Sequence, residues 1–135
     1  MLFKGLEVAQ TGLSVQKYRM DIVSSNLANA DSVDDAGNPY RRKIPVFQEI
    51  LDTQNGLPLS KVAISEVLQD DTPYKLKFDP NNPLADKNGY VKLPNVDPMR
   101  EMVDMISAIR TYEANLTAFN THKEMLLKSI DIIKV

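Results

Sequence analysis

This 135-residue chain has no cysteine, no tryptophan and only one histidine. The missing thiol removes disulfide frameworks, thiolate metal sites and thiol catalysis together. His122 lies beside charged residues on a helical pattern and reads as part of a solvated helix face rather than a base or a ligand. Neither sign of charge dominates: 16 basic residues against 18 acidic ones leave a net charge of −2, so the chain lacks the basic footprint of a nucleic-acid binder. No apolar run is long enough to span a bilayer, and Met1-Leu2-Phe3-Lys4-Gly5 has no apolar signal core, so no membrane insertion is expected. Gly-rich phosphate loops, nucleophile motifs and calcium-loop spacings are absent. The paired aspartates Asp34-Asp35 and Asp70-Asp71 fall in turn-rich stretches that explain them. These absences together predict no catalytic residue, no cofactor and no metal.

Proline is missing from both ends of the chain, all eight prolines lying between Pro39 and Pro98. What fills the ends instead is a seven-residue apolar repeat. From Asp97 onward, one row runs Met102, Ile109, Leu116, Lys123, Ile130 and a second runs Met105, Tyr112, Phe119, Leu126, Ile133. Two rows offset by three are the seam of a coiled coil. Asp97 suits an N-cap and Pro98 the first helical turn, which predicts one helix of about 35 residues, roughly 50 Å long. Residues 2–30 carry a matching pair of rows: Leu6, Leu13, Met20, Leu27, and Leu2, Ala9, Gln16, Val23, Ala30. Gly5 and Gly12 sit inside this second helix at about 1 kcal/mol each relative to alanine, which implies close helix approach or a frayed start. A third row, Val8, Val15 and Ile22, lies about 130° from the seam at ~100° per residue. One partner helix cannot cover both sides. Either the middle of the chain folds back over this row, or neighbouring subunits cover it, and the second reading is preferred here.

Between the helices lie turn clusters at residues 34–39, 79–83 and 86–89, separated by alternating stretches at 42–50, 61–69, 74–78 and 90–93. These predict one small sheet of three or four strands. The fold class is therefore α+β: an elongated antiparallel coiled coil of long N- and C-terminal helices (residues 1–30 and 97–135) plus a small β-rich central region (31–96). Arg41-Arg42-Lys43 reads as a solvated strand end, with a contact to a neighbour's acidic group as the alternative.

Asn26-Leu27-Ala28-Asn29-Ala30 reads physically as a helix C-terminus, its asparagines bonding locally to backbone. Closing an N-terminal heptad helix, it also resembles the signature of bacterial flagellar axial proteins, the family of rod, hook and hook-junction subunits. A longer turn then ends in Gly37-Asn38-Pro39-Tyr40-Arg41-Arg42, which is similar to the proximal-rod members. The blocks Asp79-Pro80-Asn81-Asn82-Pro83, Gly89-Tyr90-Val91-Lys92-Leu93-Pro94-Asn95-Val96-Asp97-Pro98 and Arg110-Thr111-Tyr112-Glu113-Ala114-Asn115 extend the resemblance through the chain in order. It implies a structural subunit of the basal-body rod, which spans the periplasm, transmits motor torque and encloses part of the export channel. It further implies assembly into a helical tube with copies of itself, other rod proteins and a basal adaptor at the export gate and MS ring, after passage through the flagellar type III export apparatus without a cleaved signal. Asn26, Ala28, Asn29, Tyr40 and Arg41 are the motif positions carried over. Another flagellar axial subunit, or a soluble coiled-coil adaptor, is the competing reading.

Overall fold

A computed structural model describes residues 2–53, 56 and 58–134, except for the side chain of Leu2; Met1, that side chain and Val135 lie outside the described residues. Two long helices frame the chain, α1 (Leu2–Ala28) and α2 (Pro98–Ile133). With 36 residues, α2 is about 54 Å long at 1.5 Å per residue, so the molecule is elongated. The Asp97 carboxylate accepts from the Met99 backbone N–H and Pro98 opens the first turn, as the capping reading predicts.

Among the described residues the central region holds four strands, β1 (Lys43–Asp52), β2 (Leu59–Gln69), β3 (Lys75–Phe78) and β4 (Tyr90–Leu93). They form two separate antiparallel hairpins, β1–β2 and β3–β4, rather than the single sheet that the alternation suggests. Residues 70–73 prevent a continuous ladder. The Asp70 N–H donates back to the Arg42 carbonyl, the Thr72 N–H is taken by the Asp70 carboxylate, and Pro73 has no N–H to offer.

The helices pack antiparallel at unusually short range. A Cβ added to Gly5 would lie 2.7 Å from His122 Cε1, and one added to Gly12 would lie 2.8 Å from Asn115 Nδ2. Both glycines are thus sites of close approach, the first of the two roles their positions allowed. Toward the other end of the pair, Arg19 meets Asp104 at 4.0 Å and Asn26 meets Glu101 at 3.2 Å. The α2 residues facing α1 are therefore Glu101, Ala108, Asn115 and His122 at seven-residue spacing, with Ala108 fully buried. This row is polar apart from Ala108, and it lies one residue before the apolar row that the heptad count selects. His122 is accordingly no solvated face residue: it is half-buried over Gly5, and its Nδ1 is buried without a hydrogen-bond partner among the described residues.

Hairpin β1–β2 lies across α1. Lys61 bridges Glu7 at 2.5 Å and Asp52 at 2.9 Å, and the Val62 N–H reaches the Thr11 hydroxyl at 3.5 Å. This contact corrects the expectation for the third apolar row. Val15 and Ile22 are 5% and 6% exposed and Val8 is half-buried, so the chain itself covers the side that neighbours were expected to cover. The rule that a two-sided helix needs a second partner holds, but the partner is the central region folding back.

Candidate assembly surface

Helix α1 ends at Ala28, where Asn29 Nδ2 donates to the Ser25 carbonyl at 2.8 Å. Three residues earlier, Asn26 does far more than end a helix. It is 1% exposed, and its amide makes four hydrogen bonds. Oδ1 accepts from the Lys43 N–H and the Tyr40 hydroxyl, both at 2.9 Å, while Nδ2 donates to the Lys43 carbonyl at 2.9 Å and to Glu101 Oε2 at 3.2 Å. An amide alone supplies donor and acceptor together in this volume. An aspartate would set a second carboxylate against Glu101, which gives the asparagine motif a physical reason.

Glu101, fully buried in the first turns of α2, receives the Arg42 Nε–H on its other oxygen. The same guanidinium reaches Asp70 Oδ2 and Asp104 Oδ2, each at 3.3 Å. The Arg42 backbone N–H donates to Asn95 Oδ1 at 2.8 Å, and Asn95 Nδ2 donates to the Asp70 and Thr72 carbonyls. Arg41 stacks its guanidinium 4.4 Å above the Tyr74 ring centroid and donates to the Asp70 carbonyl. Two residues of the basic triplet, Arg41 and Arg42, are thus held within the chain rather than left as a solvated strand end, while Lys43 is exposed. Burial opposes the charge on Arg42, and its bonds to Glu101 and Asp70 outweigh that, so its pKa lies above the ordinary arginine value.

The Thr72 backbone N–H, donating to the Asp70 carboxylate at 2.9 Å, holds that carboxyl below its ordinary value of 3.8; the Thr72 side chain and Arg42 act in the same direction, against the effect of burial. A carboxyl with a lowered folded-state pKa stabilises the fold above its unfolded pKa, and that contribution disappears as pH falls through the folded value. Urea midpoints should therefore stay flat from neutral pH to about pH 5 and decline below about pH 4, and Asp70→Asn should remove part of that acid limb.

The apolar rows of the sequence reading divide by position. Val23 is buried at 4% exposure. Leu6, Leu13, Met20 and Leu27 of α1, and Met105, Tyr112, Phe119 and Leu126 of α2, are half-buried along one edge of the helix contact. Met102, Ile109 and Leu116 are 51%, 40% and 40% exposed, beside Val103 and Ile106 at 63% and 53%. Helix geometry places the Leu6 row and the Met102 row on the same side of an antiparallel pair, opposite the β1–β2 hairpin. The result is one long apolar face left open by the chain. Of the motif residues, Asn26 is buried, Asn29, Tyr40 and Arg41 are half-buried, and Ala28 is exposed. The sequence reading took Arg42 for a strand end and Asp70 for a turn residue and gave Asn95 and Glu101 no physical role; the seven-residue row Glu101, Ala108, Asn115, His122 is the signal that could have found the last of them.

A rigid helix pair with one apolar face unfilled is the architecture of a structural subunit that packs against other subunits. Residues 6–34 match the family described as "Flagella basal body rod protein", and residues 87–132 match "Flagellar basal body rod FlgEFG protein C-terminal". The chain is 43% identical to the flagellar basal-body rod protein FlgC of Bacillus subtilis, covering 98% of each sequence. It is 40% identical to that of Aquifex aeolicus over 98% of each, and 46% identical to that of Salmonella typhimurium over 93% of each. The chain belongs to the FlgC family of flagellar basal-body rod proteins. It is a structural protein of the flagellar basal body and assembles with other components of it. No described helix is long and apolar enough to cross a membrane.

Proposed function

We propose that the chain builds the proximal rod by packing the open face of its helix pair against copies of itself and other rod proteins. The supporting observation is the set Met102, Val103, Ile106, Ile109 and Leu116, exposed along one side of α2; contiguous exposed apolar residues mark interaction sites. Contacts between unlike patches that do not close into a ring propagate as a helical tube, and many parallel contacts carry torque without chemistry. In this reading residues 1–30 and 97–135 form the packed axial part and residues 31–96 the outer part. A basal adaptor at the export gate and the type III export apparatus complete the partner set, following the family resemblance.

The competing reading, a closed coiled-coil dimer, predicts a fixed size. Sedimentation of the purified chain over a rising concentration series should instead show open-ended growth, and basal bodies isolated from cells carrying a tagged copy should contain it. A single dimer boundary at every concentration, with no tagged chain in basal bodies, would defeat the proposal.

A further inference from the structure

Hairpin β3–β4 makes no close backbone contact with any other helix or strand among the described residues. Val91 is buried on one side of it, and two roots join it to the rest of the chain. On the entry side lies Asp70, whose carboxylate takes Arg42 Nη1 and whose carbonyl takes Arg41 and Asn95. On the exit side lie Asn95, bonded to the Arg42 backbone N–H, and the Val96 carbonyl, which receives Lys75 Nζ. Arg42 also holds Glu101 and Asp104 of α2 through its remaining nitrogens. The Arg42 guanidinium therefore ties the entry root of the hairpin to the start of α2, each nitrogen committed to a different carboxylate, while the backbone N–H of the same residue holds the exit root.

Such an arrangement is a poor route to stability, because a buried ionic cluster must be desolvated and well-packed apolar groups of similar volume hold a fold as well or better. What apolar groups lack is direction. A planar guanidinium with three assigned partners fixes angles that an apolar contact leaves open. The hairpin it would orient carries an exposed apolar patch, Leu76 at 62%, Phe78 at 63% and Tyr90 at 42%, with Phe78 and Tyr90 edge to face at 5.3 Å. Its angle decides where that patch is presented.

We propose that the Arg42 cluster is an orienting joint, which sets the angle between the helix pair and hairpin β3–β4 and thereby directs the apolar patch of that hairpin. This inference concerns the single chain and does not depend on the rod reading. The chain has no cysteine, so spin labels at Ser107→Cys on α2 and Lys77→Cys on β3 are unique, and both positions are exposed. In the otherwise native chain, electron–electron distance measurements should give one narrow distribution. The double variant Arg42→Met with Glu101→Leu replaces the pair by apolar side chains of similar volume, leaving Asp104 near Arg19 and Asp70 on the Thr72 N–H. It should keep its helix content and thermal midpoint while its distance distribution becomes at least about twofold broader. Arg42→Met alone should lose stability, since Glu101 is then buried and unpaired. A double variant whose distribution stays as narrow as the parent's overturns the proposal. So does one that fails to fold, because the cluster would then be a stabilising element and nothing more.

Discussion

Replacing Arg42 by alanine is expected to destabilise the fold by about 3–5 kcal/mol, the typical result of removing one partner from a buried ion pair. At the usual entropy of unfolding for a chain of this size, that lowers the thermal midpoint on the order of 10–20 °C. The size of the effect follows from what stays behind. Glu101 is fully buried, and among the described residues its side chain's other partner is the Asn26 amide, itself committed to the Lys43 backbone and Tyr40. Asp70 and Asp104, at 13% and 33% side-chain exposure, have water or other donors within reach and contribute less. Urea unfolding followed by circular dichroism measures the loss. Glu101→Ala should cost less than Arg42→Ala, because the guanidinium keeps Asp70 and Asp104. The reverse order would mean that Arg42, rather than Glu101, is the group that burial penalises.

The second large effect is a contrast between two aspartate substitutions on the helices. Ile106→Asp places a charge on a side chain that is 53% exposed, so monomer stability should move by less than about 0.5 kcal/mol. Incorporation into rods should nevertheless be lost, since a subunit contact would have to bury an unpaired carboxylate. Val15→Asp should do the opposite in the monomer. At 5% exposure beneath hairpin β1–β2 it leaves a buried charge without a partner, costing about 3 kcal/mol or more and releasing the hairpin to limited proteolysis. Urea midpoints of the two variants, read beside the rod content of isolated basal bodies, separate fold from assembly. Normal rods from Ile106→Asp subunits would show the open face to be idle.

This contrast inverts the expectation drawn from helical wheels, where Val8, Val15 and Ile22 are the residues left for neighbours. The wheel identifies a second apolar side correctly, but it cannot say which part of the chain covers it. Alternation in residues 42–50 and 61–69 is visible in the sequence, yet the side of the helix pair on which the resulting hairpin lands is set by distant contacts, such as the burial of Val15 and Ile22 and the meeting of Lys61 with Glu7, 54 positions apart. The same holds for the helix contact. Counting in sevens marks the apolar rows, and the apolar rows are the visible ones. The true contact line runs beside them through Gly5, Gly12, Asn115 and His122, where small residues permit a closer approach than leucines could.

By itself the amino-acid sequence determined the two terminal helices, their seven-residue periodicity, the Asp97 cap, the strand positions and the blocks that place the chain in its family, because each depends on neighbours within a few residues. Only the tertiary structure decided that two hairpins form instead of one sheet, that Asn26, Arg42, Asp70, Asn95 and Glu101 share one buried cluster, and that the open apolar face lies on the side of α2 away from the hairpin. Those outcomes come from contacts between segments dozens of residues apart, whose geometry no local pattern of residue types encodes.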